Sequence, residues 1–353
     1  MVGKVCSCII TAAFCLILVT GMEVLLKHIL TIFGTPSDIY QDAYRYLQIF
    51  IIGYFALFLY MQMTAILRSF GDAMFQMIGM LAGTILNAVI DPIFIHFSGI
   101  AGAAWATTFS QILCLVLAIV YAMKKAYFKV DIRLISGKLA GSVVKNAVPS
   151  CIQQSIPAVS SMIIVILVNR FDVTTIAAYG VVKMIENILF YPAMAMNMGL
   201  MTIVGQCVGA GRDDRTKDYI KTACLYGGVI EVVLTAVVLI FSKGIARAFV
   251  NEAAVGTIVS HALLIIGAGY LCYMITNIFM AKLSGMGKPN LSMILMFVYY
   301  IVIRVPLAME LMKTSLGLNG IWVAILFSHL LAAVLGIIMV HLTERRYTQV
   351  CNE

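Results

Sequence analysis

The sequence predicts an all-α polytopic membrane protein, with ten transmembrane helices in two lobes that repeat one pattern in the same direction. Three observations predict it. Of the residues, 62% are hydrophobic and only 11% charged, with a mean hydropathy of +1.01, whereas soluble domains carry about 25% charge. No water-soluble fold of this length hides so much apolar surface. The apolar residues fall in continuous runs of about 20, the length a helix needs to cross about 30 Å of hydrocarbon; a membrane barrel would show strands of about ten residues with alternating polarity. The chain also resembles itself at a displacement of 216 residues.

The first run, 5–26, opens like a secretory signal, with Lys4 ahead of an apolar core, but no A-x-A cleavage site follows. Its counterpart in the repeat makes it a retained span. Spans at 45–67, 75–97 and 100–123 complete an N-lobe, 1–123. A basic cytoplasmic loop, 124–145, leads to a C-lobe, 146–353, with spans at 147–169, 180–204, 222–242, 259–281, 291–312 and 319–342.

Sixteen Lys and Arg fall on the side of the N-terminus and six on the other, with Lys183 and Arg304 inside spans. Cytoplasmic loops collect basic residues, so both termini are expected in the cytoplasm of a cell membrane protein. The net charge of +8 then reports topology rather than a nucleic-acid partner. Nine cysteines lie mostly inside apolar runs without a CxxC pair and read as packing residues, and the five histidines have no metal spacing. No phosphate loop, catalytic triad or nucleic-acid motif occurs, so no enzyme is expected.

In the repeat, Gly53 falls on Gly269, Tyr54 on Tyr270, Ala65 on Ala281 and Gly71 on Gly287; after a two-residue shift, GIAGAAWATTFS (99–110) falls on GLNGIWVAILFS (317–328). Matched spans are six apart, so the copies run parallel about an axis along the membrane normal, one of the two repeat arrangements of secondary transporters. Residues 145–219, about two spans, have no counterpart ahead of residue 4. The N-lobe therefore reads as shortened, whether by fragmentation, a misplaced start or true reduction.

Ionisable residues inside spans are costly and face a cavity or a partner. In LNAVIDP, Leu86 to Pro92, Asn87 and Asp91 are one helical turn apart and share a face. Pro92 removes a backbone donor and frees a carbonyl nearby. This oxygen-rich group reads as an ion-binding switch, because a buried carboxylate exchanges its proton readily and changes partners when it does. The other reading is that Asp91 only caps or snorkels near the end of its span. Lys183 and Glu186, three apart, either neutralise each other or turn Glu186 to a cavity. Arg304 reads as neutralising an interior acid or tying down carbonyls. Gln153, Gln154, Asn197 and Asn277 suit either helix–helix hydrogen bonds or a cavity lining. The methionines around Asn197 (194, 196, 198, 201) suit packing or a cavity for varied apolar cargo.

At these motifs the chain resembles the multidrug and toxic-compound extrusion (MATE) transporters, within a larger flippase-related superfamily. The resemblance is carried by LNAVIDP with GIAGAAWATTFSQ (99–111), by IENILFYPAMAMNMGLMTIVGQCVGAG (185–211), and by the hinges LRSFGDA (67–73) and LSGMGKP (283–289). It implies twelve spans, of which this chain holds the third to the twelfth. It also implies export of organic cations or drugs in exchange for protons or sodium by alternating access. In one branch an Asn and an Asp of the fifth span, with an Asp of the first, form the coupling network; Asn87 and Asp91 match the fifth-span pair. Another branch uses acids of the seventh and tenth spans, where this chain has Gln153, Gln154 and Asn277, so C-lobe coupling is not expected. Gln62, Thr108, Gln153, Gln154, Glu186, Met196, Asn197 and Asn277 are the expected cavity residues, and Pro92, Pro192, Gly71 and Gly287 the hinges. No cofactor is expected, the coupling ion is a proton or sodium (the latter at Asp91), and the protein is a monomer in the lipid bilayer. A flippase for lipid-linked precursors, which would need a basic cavity, and a non-transporting remnant are the alternatives.

Overall fold

The computed structural model describes residues 2–32, 37–125, 137–249 and 252–350. All regular structure among them is helical: α1 (Val2–Ile32), α2 (Ser37–Ser69), α3 (Met74–Ser98), α4 (Ile100–Lys124), α5 (Gly137–Val168), α6 (Val173–Gly209), α7 (Asp213–Phe249), α8 (Ala253–Gly285), α9 (Pro289–Phe297), a π-helix (Val298–Arg304), α10 (Val305–Leu311) and α11 (Leu318–Val350). Among the described residues ten segments are long and apolar enough to cross a membrane, with α9, the π-helix and α10 forming one of them. The helices outrun the predicted spans; the run at 222–242, for instance, is the centre of α7. Hydropathy marks only the part immersed in hydrocarbon, while backbone hydrogen bonding continues beyond it. Of the basic loop expected at 124–145, residues 126–136 lie outside the described residues, and 137–145 are not loop but the first turns of α5.

The chain forms two compact units, Met1–Val144 and Lys145–Glu353. In the first, α2 packs on α4, with α1 against α2 and α3 against α4. The α2–α4 contact is close because Gly53 has no side chain: a Cβ there would lie 2.5 Å from Thr108 Oγ1. In the second unit α8 is the buried axis, touching α6, α7, α9 and α11. Its apolar interior includes Tyr179 stacked on Trp322 at 5.7 Å.

The repeat is visible in the backbone. Gly71 (φ 86°) and Gly287 (φ 73°) end α2 and α8 in the left-handed conformation. In both, the next residue donates back across the turn, Asp72 N to Leu67 O (3.1 Å) and Lys288 N to Leu283 O (3.0 Å). This is the six-to-one bond of a Schellman cap, which glycine adopts without a Cβ penalty. The two-residue shift has two separate places. A Cβ at Gly102 would meet Phe94 O at 2.0 Å, and one at Gly320 would meet Leu311 O at 2.5 Å, so Phe94 corresponds to Leu311 at a displacement of 217. One extra residue therefore lies before Leu311, in the crossing that contains the π-helix, and the other in the turn before Leu318. A π turn is the ordinary way for a helix to absorb one added residue.

Candidate functional site

In the first unit the site is built on α3. Asn87 and Asp91 stand one turn apart, and Asn87 Nδ2 donates to Thr107 Oγ1 of α4 at 3.4 Å. Asp91 Oδ1 is buried and has no hydrogen-bond partner, as are Gln111 Oε1 and the Tyr60 hydroxyl. The helix continues through Pro92 to Ser98, and the missing proline N–H leaves the Ala88 carbonyl without its helical donor. A cavity of about 190 Å³ is lined by Tyr60, Thr84, Asn87, Thr107 and Gln111 among others. Asp91 lies one turn further along α3, outside that lining. Neither Gln62 nor Thr108 lines it. Gln62 is half-buried on α2, and Thr108 donates to the Ile49 carbonyl at 3.1 Å as a tie between α4 and α2. A polar residue in an apolar run looks the same in sequence whether it ties helices or lines a cavity.

In the second unit a cavity of about 340 Å³ is lined by Gln153 and Gln154 of α5, Lys183 and Asn197 of α6, Asn277 of α8 and Arg304 of the π-helix. Asn197 Nδ2 donates to the Asn277 carbonyl (2.8 Å), and Asn277 Nδ2 to the Tyr273 carbonyl (3.0 Å). Asn197 thus both ties α6 to α8 and lines the cavity, while the Asn277 amide bonds within α8. Glu186 stands behind the wall: it is 2% exposed, and its Oε2 accepts from Lys183 Nζ at 2.8 Å. Met194 and Met198, four apart, line the cavity. Met196, half a turn away, instead packs beside Gly227 of α7. Pro192 sits inside an unbroken α6.

Arg304 differs from its expected role. No carboxylate is ion-paired with it among the described residues. Its Nε donates to Ser328 Oγ (2.9 Å) and its Nη2 to the Tyr299 hydroxyl (2.8 Å). The guanidinium lies 4.4 Å over the Tyr300 ring. Hydroxyl lone pairs and π faces hold the cation in place of an acid. Sequence reasoning did not single out the aromatic wall of Phe190, Tyr273 and Tyr300, because aromatics are ordinary in membrane spans. The π turn that aims Arg304 left one signal, the slip in the repeat.

A family model described as MatE matches residues 4–93 and 149–309. The probable multidrug resistance protein YoeA of Bacillus subtilis is 26% identical over 313 residues, covering 84% of this chain and 66% of that protein. The FAD transporter of Shewanella oneidensis is 25% identical over 336 residues, covering 92% and 73%. A solved outward-facing multidrug resistance MATE family transporter of the MOP superfamily superposes with a TM-score of 0.91 at 21% identity, covering 96% of this chain and 78% of that one. That likeness shows the shared fold. The chain spans 66% and 56% of the lengths of the first curated relatives it matches.

Proposed function

This chain belongs to the MatE family of membrane transporters, and on that premise we propose that it exports small organic cations or drugs in exchange for protons or sodium. Export is by alternating access across the cell membrane, by a monomer with both termini in the cytoplasm. The observation that carries the ion-coupled part is Asp91, a carboxylate oxygen buried without a partner one turn from Asn87. An unpaired carboxylate inside a membrane is costly unless it is protonated or holds a cation. Asp91 therefore takes and releases the coupling ion, with the Asn87 amide and the Ala88 carbonyl freed by Pro92 about one turn back on the same helix. Gly71 and Gly287, at the caps of α2 and α8, are the hinges.

A second reading concerns the charge of the cargo. The cavity of the second unit is lined by Lys183 and Arg304 and by no carboxylate, which favours cargo with an anionic group. A relative named as a FAD transporter, and a flippase of anionic lipid-linked precursors, are both compatible with such a wall. The test is reconstitution of the full chain in proteoliposomes, with efflux of ethidium, of FAD and of a labelled anionic lipid measured under a pH or sodium gradient. Gradient-driven ethidium efflux that drops at least tenfold in Asp91→Asn supports the first reading; undiminished efflux in that variant defeats it. Efflux of FAD or lipid without ethidium moves the function to the second.

A further inference from the structure

Glu231 stands at the midpoint of α7 and is 0% exposed. The outer face of this helix is apolar and exposed at Val229, Ile230, Val232, Val233 and Val237. On its packed face Gly227, Glu231 and Thr235 follow at one-turn intervals. Contacts set their heights. A Cβ at Gly227 would lie 3.1 Å from Met274 Sδ of α8 and 3.4 Å from Met196 Cε of α6. A Cβ at Gly267 of α8 would lie 3.7 Å from Thr235 Cγ2. Glu231 therefore lies between those levels, in the seam of α6, α7 and α8, at the height of Tyr270. Tyr270 faces α6, its ring 6.0 Å from that of Phe190, and its buried hydroxyl is bonded to neither α6 nor α7.

This seam is unusual in its unmet hydrogen bonding. Both carboxylate oxygens of Glu231, the Thr235 hydroxyl, the Tyr270 hydroxyl and Glu186 Oε1 have no partner. Glu231 makes no ion pair among the described residues. The charged and titratable groups around it are Tyr270 on α8, Glu186 with its partner Lys183 on α6, and Arg304 and His329 beyond Tyr270. Seams that only pack leave buried polar groups satisfied, and an unpaired buried carboxylate must hold either a proton or a cation. A sodium ion needs several oxygens converging on one point, and no two of these five are joined even by a hydrogen bond. A proton needs only one of them.

We propose that Glu231 is a proton-binding site of the second unit, exchanging with that unit's cavity by way of Tyr270 and the Lys183–Glu186 pair. Loading takes one proton from cavity water at Lys183, which lines the cavity, passes one of its own protons to Glu186 and ends unchanged. The Tyr270 hydroxyl passes its own proton to Glu231 as it receives one from Glu186, so tyrosine and Glu186 end unchanged and Glu231 becomes a neutral acid. Only the last consequence, that this protonation is a second ion step of export, rests on the transport reading above.

Infrared difference spectra of the purified full chain across a pH titration read protonated carboxyl groups without any transport. A carboxylic-acid band that is lost in Glu231→Gln, survives in Asp91→Asn and shifts in Tyr270→Phe is the expected result. A spectrum unchanged by Glu231→Gln, or a band displaced by sodium at constant pH, overturns the proposal. Should Glu231→Gln fail to fold, an unshifted band in Tyr270→Phe overturns it equally. In proteoliposomes Glu231→Gln is expected to lower pH-driven ethidium efflux at least tenfold while gradient-free exchange continues; full pH-driven efflux overturns the coupling role. Absence of transport by the unaltered chain would count against the function proposed above and leave the spectroscopic result to decide on Glu231.

Discussion

The three crossings α2, α3 and α4 of the first unit and α8, α9–π–α10 and α11 of the second are built on the same glycines and end in opposite chemistry. Gly53 is pressed against Gln111 and Gly269 against His329, each with a side-chain atom 3.1 Å from where a Cβ would be. These partners correspond at a displacement of 218. The middle crossing of the first unit then presents Asn87 and Asp91, that of the second Arg304. In the second unit the polar groups bond to one another: the Tyr299 hydroxyl meets His329 Nδ1 at 2.5 Å, and Arg304 joins Tyr299 and Ser328. In the first, Asp91 Oδ1 and Gln111 Oε1 have no partner. A satisfied network holds a fold together, whereas an unsatisfied one is poised to take something up. Glu231 makes the same distinction inside the second unit.

The largest effect should come from breaking the satisfied network. Arg304→Met removes the hydrogen bonds to Ser328, Tyr299 and His329 and should lower stability by about 3 kcal/mol, read as thermal unfolding in detergent. Asp91→Asn should change stability by less than about 0.5 kcal/mol. Equal losses would erase the contrast between the units. Next come the two close approaches. Gly102→Ala and Gly320→Ala force a Cβ into backbone and should each cost about 2 kcal/mol; a large loss in one and none in the other would mean that the shared glycine frame is not equally tight. Gly71→Ala and Gly287→Ala have open space around them but positive φ, so each should cost about 1 kcal/mol.

The smallest effect separates α6 from α3, which begins at Ala73 without a side-chain cap. Asp172 caps α6, its carboxylate accepting from Thr175 Oγ1 at 2.6 Å and from Thr175 N at 3.3 Å. These bonds, the hydroxyl first, hold the Asp172 carboxyl below the usual carboxylate range. A lowered value in the folded state stabilises above that range, and the gain is lost as pH falls through it. Asp172→Ala should therefore lower Tm by about 1–2 °C at neutral pH and by nothing at acid pH. A loss that persists in acid would assign it to packing.

Much of this was legible along the chain, for reasons that are local. Ten crossings follow from apolar runs as long as the bilayer is thick. The repeat follows from glycines whose φ no other residue adopts at ease, Gly71 with Gly287 and Gly99 with Gly317. Asn87 and Asp91 share a face because a helix repeats every 3.6 residues, a statement about one helix alone.

What a polar group faces across the seam was decided by tertiary structure. In a soluble protein the polar face of a helix points to water, and the sequence period shows which side is in. Within a membrane both sides are apolar, so the period is silent, and α7 reads as apolar nearly all round. Only packing against α6 and α8 turns Glu231 inward and leaves it unpaired. The same cause makes Met194 a lining residue and Met196 a packing one, turns Thr108 into a helix tie, and surrounds Arg304 with hydroxyls rather than an acid. Each outcome depends on three helices at once, and no single stretch of sequence contains all three.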